Sequence, residues 1–381
     1  MKGIAVFIII ALTIYTSASI YIYLNISLAA AFSGTLGWIF RIVLLIMFIS
    51  YPLGKTLHGI GKDSLGLPFS WIGSYWIGVM FYTLLIFGVK DIFLLINHFA
   101  GWIPPDYFYT LLASRIYIGV IFGFLFILFI YGTILARNPE FVSYDIAFDN
   151  YPADKSPMKM VMVSDVHAGV LIGQKRVEKM VCDINDQQPD IVLIAGDFLD
   201  EPVKHLLGME EILRGINSKH GTYAILGNHE YYYGVEPSIE FLKRSGMKVL
   251  LDEGTVIDSS IVLIGLGDLL TADRTGKPVK SLENIINEFP DHLPVVLAEH
   301  TPTKVKEIAE KGVDLMLCGH THGGQIWPAS IPAGLANDVL TGIKRINDKM
   351  WVIVSNGYGT WGPPIRIGVP PQVVTINFSR S

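Results

Sequence analysis

"VDLMLCGHTHGGQIW", residues 313–327, runs an apolar segment out into Gly319, then sets His320 and His322 one residue apart before Gly323 and Gly324. The apolar run has the length and β-favouring character of a buried strand. Two neutral imidazoles at that spacing can point into one pocket as metal ligands. They can equally sit in a polar loop and bind nothing. Whether the rest of the chain supplies partners decides between the two.

Other segments of the same kind supply them. "KMVMVSDVHAG" reads as a strand over Lys159–Ser164 that ends in Asp165 and His167. "DIVLIAGDFLD" runs through Ile191–Ala195 to Asp197 and Asp200, and "TYAILGNHEYY" runs to Asn228, His229 and Glu230. "LPVVLAEHTP" ends in His300. Each of these strands delivers Asp, Asn or His at its carboxyl end, where ligands bind in α/β folds, so the polar groups are expected to converge. Between strands, Val177, Met180, Val181 and Ile184 recur at helical spacing, and a further helix is expected over Val203–Ile216. Upstream, Val142, Tyr144, Ile146 and Phe148 alternate as a strand does.

The amino-terminal third is of another kind. Of 381 residues 51% are apolar and 17% charged, and the mean hydropathy is +0.45; the apolar excess lies before Arg137. Gly3–Leu24, Leu36–Leu53, Phe69–Val89 and Ile116–Ala136 each meet the length of roughly 20 apolar residues that a spanning helix needs. Tyr21, Tyr23, Trp38, Trp71, Trp76, Tyr117 and Tyr131 are expected near span ends, as interfacial aromatics. Lys90 and Asp91 read as an interfacial charge pair. Almost nothing ionisable falls in mid-span, which disfavours a transporter and points to an anchor. Lys2, Lys55, Lys62, Arg137, Lys155 and Lys159 fall on one side of the bilayer and Arg41, Lys90 and Arg115 on or near the other, a modest bias that points the large carboxyl-terminal part to the cytoplasm.

The division expected is therefore a transmembrane region at 1–137, a linker with a lead-in strand at 138–157 and a catalytic domain at 158–381. A net charge of -5 without a basic run leaves no footprint for nucleic acid. Cys182 and Cys318 cannot build a disulfide framework, and both are expected as free, buried thiols.

Taken in order, "D-x-H", "GDxxD", "GNHE", a lone histidine and "GHTHGGQ" resemble the calcineurin-like metallophosphoesterases, over roughly Met158 to the carboxyl terminus. The ending "NGYGTWGPPIRIGVPPQ" and the membrane layout are similar to the bacterial membrane-associated phosphodiesterase branch. The resemblance implies a two-sheet α/β sandwich flanked by helices, with two divalent ions (Mn, Fe or Zn) at one edge. It implies Asp165, His167 and His322 on one ion, and Asn228, His300 and His320 on the other. Asp197 would bridge them, as two close cations require an anion between them. Water acidified by the ions would attack phosphorus, so no covalent nucleophile is needed.

By the same resemblance His229 is not a ligand but protonates the leaving oxygen, oriented by Asp200. Asp200 can alternatively cap a helix before Val203. Arg366 is expected to reach substrate from the Gly/Pro-rich stretch 356–371, or that stretch is simply a rigid loop. Tyr231–Tyr233 either shape a substrate or pack beside the metals. The substrate implied is a phosphodiester or pyrophosphate, with membrane anchoring favouring a lipid headgroup. A soluble nucleotide or phosphoprotein, or a relict domain serving as a membrane sensor, are the alternatives; a relict domain is expected to have lost ligands that this chain retains.

Overall fold

Strands whose every residue is apolar can be accommodated only if both faces are covered, and the computed structural model shows how. It describes residues 2–30, 34–104, 106, 115–268, 271, 280–346, 348 and 350–381. The chain forms two compact units, one of residues 1–131 with 362–364 and the other of residues 132–361 with 365–381.

The first unit holds the long helices α1 (Lys2–Ala30), α2 (Gly34–Gly59), α3 (Asp63–Ala100) and most of α4 (Arg115–Arg137). All four are long and apolar enough to cross a membrane. At 38 residues α3 exceeds the span expected for it. Small residues let backbones approach: a Cβ on Gly73 would lie 2.4 Å from the Tyr51 backbone. Several polar side chains within this unit find partners, as His58 does on Asp63 (2.8 Å) and Ser70 (3.0 Å), and Lys90 on Asp91 (2.9 Å). Trp76, expected at an interface, is instead buried among the helices at 2% exposure.

The second unit carries two six-stranded mixed sheets, within which β1 to β12 follow chain order. The first sheet combines β1 (Glu140–Phe148), β2 (Met158–Val163), β3 (Ile191–Ala195), β4 (Thr222–Ile225) and β5 (Lys248–Val249) with the carboxyl-terminal β12 (Gln372–Arg380). The second combines β6 (Glu253–Ile257), β7 (Ile261–Gly265), β8 (Val295–Ala298), β9 (Leu315–Cys318), β10 (Gly342–Arg345) and β11 (Trp351–Val354). Side chains alternate across each strand, so one set meets the facing sheet and the other meets helices. Met160, Met162, Leu193 and Ile225 thus share a core with Leu263, Val296 and Leu317. On the other face Val161, Val163, Val192 and Ile194 pack against Val177, Met180 and Ile184 of α5 (Gln174–Asp186).

Two further expectations need correcting. The helix over Val203–Ile216 is broken: a 3-10 turn at Val203–His205 is followed by α6 (Met209–Leu213), with Gly208 between them at φ 82°. That backbone is left-handed and cannot continue a right-handed helix. Cys182 is exposed, because it lies off the Val177–Met180–Val181–Ile184 face of α5; Cys318 is buried as expected. The lead-in segment forms the strand expected of it, β1, which pairs with β12 along all nine of its residues, from Glu140↔Gln372 to Phe148↔Arg380. Beside it, the Arg176 guanidinium donates to the carbonyls of Ala136 (3.0 Å) and Arg137 (2.7 Å), closing the end of α4.

Candidate metal centre

β2, β3 and β4 run parallel to one another, as do β8 and β9, so their carboxyl ends lie together within each sheet. The chain leaves these ends through unusual backbone. Asp165, His167, Asp197, His320 and His322 all have φ between 50° and 69°. A non-glycine residue held there costs about 1–3 kcal/mol and persists only where its surroundings fix it. Bonds between loops do so here. The N–H of Asp165 donates to Gly196 O (3.0 Å), that of His167 to Asp197 O (3.1 Å) and that of Gly319 to His300 O (2.9 Å). The Asp165 carboxylate accepts the N–H of His320 (2.9 Å), and Asp197 Oδ1 accepts that of His229 (2.9 Å). Gly227 must lack a side chain, since a Cβ would lie 2.2 Å from Asp197 Oδ1.

Glu230, in the short helix α7 (Asn228–Tyr233), ties two of these loops together. It is fully buried and accepts the N–H groups of Gly227 (2.7 Å), Asp197 (3.0 Å) and Leu199 (3.0 Å). Burial, and then the Asp197 charge, push its carboxyl up to about 7. Its oxygens are committed to backbone, so it organises the site and is not a ligand.

The donors gather in overlapping groups: Asp165, His167 and His322; Asp197, His300 and His320; and His167, Asp197 and His229. His167 Nε2 lies 3.0 Å from His322 Nε2. Asp165 Oδ1 is 3.6 Å from His322 Nε2 and 3.8 Å from His300 Nε2, and Asp197 Oδ2 is 3.1 Å from His300 Nε2. His300 Nδ1 is 2.9 Å from the Ala195 carbonyl, a contact that fixes the proton on Nδ1 and frees Nε2 for a cation. Asn228 Oδ1 is buried with no hydrogen-bond partner. Two facing ring nitrogens and an orphaned carbonyl oxygen beside two carboxylates fit divalent cations bound through nitrogen and oxygen.

Electrostatics agree with that fit. Burial, with His167 and Arg366 adding to it, lowers the pKa of His322 well below its ordinary value; burial and His300 lower that of His320. Burial opposes charge on His300 and His167, but the facing carboxylates overcome it and raise both. Burial alone would raise Asp197, yet His300, His229 and His167 reverse this and hold it well below the usual carboxylate range.

His229 stands beside this group. Its Nδ1 is 3.0 Å from Asp200 Oδ1, and its Nε2 is turned to the donors, 4.0 Å from Asp197 Oδ2. Asp200 also approaches His167 Nδ1 at 3.6 Å, and the 3-10 turn after it has Pro202 at its cap position, so the helix-capping alternative falls. Tyr232 and Tyr233 pack their rings 5.5 Å and 6.1 Å from that of His229.

Arg366, from the Gly/Pro-rich stretch, is buried against the His322 loop. It is 0% exposed and donates through Nη2 to the carbonyls of Asn356 (2.7 Å) and Gly359 (2.7 Å), with Nη2 3.3 Å from His322 Nδ1, while its Nη1 is buried with no hydrogen-bond partner. It thereby braces the loop that carries His322. Trp361, five residues earlier, does reach the site: its ring lies 6.4 Å from His229. A tryptophan amid glycines and prolines was the available signal for it.

Comparison with known proteins agrees with this geometry. A family model described as calcineurin-like phosphoesterase matches residues 158–324. An uncharacterized metallophosphoesterase of Campylobacter jejuni is 30% identical over 380 residues, covering 98% of each chain. A Danio rerio transmembrane protein with metallophosphoesterase domain is 30% identical, over 67% of this chain and 61% of that one. Phosphodiesterase YaeI of Escherichia coli is 26% identical, over 58% of this chain and 77% of that one.

Proposed function

Since the chain belongs to the calcineurin-like phosphoesterases and is a metal-dependent phosphoric ester hydrolase, we propose that it cleaves a phosphodiester or pyrophosphate bond of a lipid-linked substrate. The observation that carries this reading is the convergence of Asp165, His167, Asp197, Asn228, His300, His320 and His322 from five strand ends, with His229 and Asp200 alongside. When bound, two divalent ions supply Lewis acidity and an acidified water. In this proposal Asp165, His167 and His322 hold one ion, Asn228, His300 and His320 hold the other, and Asp197 is shared. His229 carries a proton on Nε2 for the departing oxygen, while Asp200 fixes the ring through Nδ1. Glu230 keeps Asp197 in place through the backbone.

Four apolar helices and relatives named as transmembrane proteins make this a membrane protein. Within the proposal it is a multi-pass protein of the cell membrane with a cytoplasmic catalytic domain, a placement supported by the Lys and Arg bias of the loops. A reporter fused after Ser381 should then read as cytoplasmic; an external signal would reverse the orientation.

Full-length protein in detergent should contain close to two transition-metal ions per chain by elemental analysis. It should hydrolyse diesters or lipid pyrophosphates faster than monoesters when supplied with Mn, Fe or Zn. Metal near zero after supplemented expression would sink the two-ion assignment. Full metal without hydrolysis of any ester would indicate a relict domain, and turnover of monoesters alone would favour a phosphatase.

A further inference from the structure

Trp361 is 59% exposed and Tyr232 62% exposed, although each stands against the buried His229 ring. Large aromatic side chains left this open contribute little to the core. The backbone of Trp361 is nevertheless held firmly. Gln325 accepts its N–H through Oε1 (2.8 Å) and donates Nε2 to its carbonyl (2.9 Å). Gln325 is itself 8% exposed and lies three residues after the donor His322, with its own N–H on the His322 carbonyl (3.0 Å) and its carbonyl accepting the Ile367 N–H (3.0 Å). Its φ of 51° is one that glycine would adopt without cost, so the side chain is kept against a backbone penalty. The centre's own loop thus positions an open indole beside the proton donor.

Any group attached to the departing oxygen must lie next to His229, and therefore against these two rings. We propose that Trp361, with Tyr232, is the specificity-determining platform for a planar ring carried by the leaving alcohol, as an aryl or nucleoside group would present. Gln325 is the positioning residue for that platform. The inference rests on the role given to His229 above and concerns the leaving side only.

The test compares leaving groups of similar acidity on one retained group: methyl phenyl phosphate against methyl hexafluoroisopropyl phosphate, with the two corresponding monoesters in parallel. Stacking of a ring on an aromatic side chain is lost on truncation, so Trp361→Ala should lower kcat/KM for the phenyl ester roughly 10- to 100-fold, chiefly through KM. The fluoroalkyl ester should change less than about threefold, since it has no ring to stack. Trp361→Phe should restore much of the ratio. Gln325→Ala should shift the same ratio in the same direction at unchanged metal content. Equal slowing of both esters, or loss of metal from Trp361→Ala, would overturn the platform. If only the monoesters turn over, the diester reading fails, while the phenyl-to-fluoroalkyl ratio still decides the role of Trp361.

Discussion

Asp197→Asn is expected to bind no metal, to lose at least the 10²–10³-fold in rate that one electrostatic contact in an active site contributes, and still to fold. The substitution is cleaner here than at most carboxylates. Asp197 sits at φ 50°, a conformation asparagine tolerates better than nearly any other side chain. The amide oxygen can still accept the His229 N–H, and the backbone N–H can still donate to Glu230. What disappears is the negative charge between the two donor groups. That charge also helps to raise the buried Glu230 carboxyl, so removing it relieves one repulsion within the metal-free protein. The attractions to His300, His229 and His167 that hold this carboxyl well below its usual range outweigh that relief, so melting curves should show metal-free Asp197→Asn below metal-free wild type at neutral pH. Wild type should gain about 2.7 kcal/mol when metal is present at 100 times its Kd, and the variant should gain nothing. Retention of full metal content by Asp197→Asn would remove the bridging role.

His229→Ala is expected to keep both metals and lose about 10²–10⁴-fold in rate, or roughly 3–5 kcal/mol of barrier, the usual contribution of a general acid. The deficit should shrink for a nitrophenolate leaving group, which departs without needing a proton. Asp200 keeps His167 as a neighbour at 3.6 Å in this variant, so no buried carboxylate is stranded. Equal slowing for every leaving group would mean that His229 serves the phosphoryl oxygens. The geometry also makes a sharper outcome readable, because His167, Asp197 and His229 form a donor group of their own. Loss of metal on His229→Ala would move the histidine into the ligand set.

Much of the site was legible because chemistry and topology leave the same trace in the chain. Asp165, Asp197, Asn228, His300 and His320 each follow an apolar run after a single intervening residue, and runs covered on both faces form neighbouring parallel strands with their ends together. What was not legible depends on three-dimensional partners. The break at Gly208 is one backbone angle inside an otherwise helical pattern. The burial of Arg366 depends on the carbonyls of Asn356 and Gly359 and on the neighbouring His322, contacts that a Gly/Pro-rich loop does not announce in sequence. The left-handed backbone at Asp165, His167 and His322 is likewise written in hydrogen bonds between loops distant in sequence.

The donors come from both sheets: Asp165, His167, Asp197 and Asn228 from the first, His300, His320 and His322 from the second. Shared cations would rivet the two layers at one edge. A link from Asp197 to His300 closes a loop of about 100 residues, and a permanent cross-link of that length stabilises a protein by about 4–5 kcal/mol through the unfolded chain. A rivet made of metal is reversible, so its strength follows the free ion concentration around the protein. Scarcity of metal would then do more than slow the reaction. It would let that edge open and expose five loops to proteases, so that the lifetime of the protein, as well as its rate, reports the metal supply.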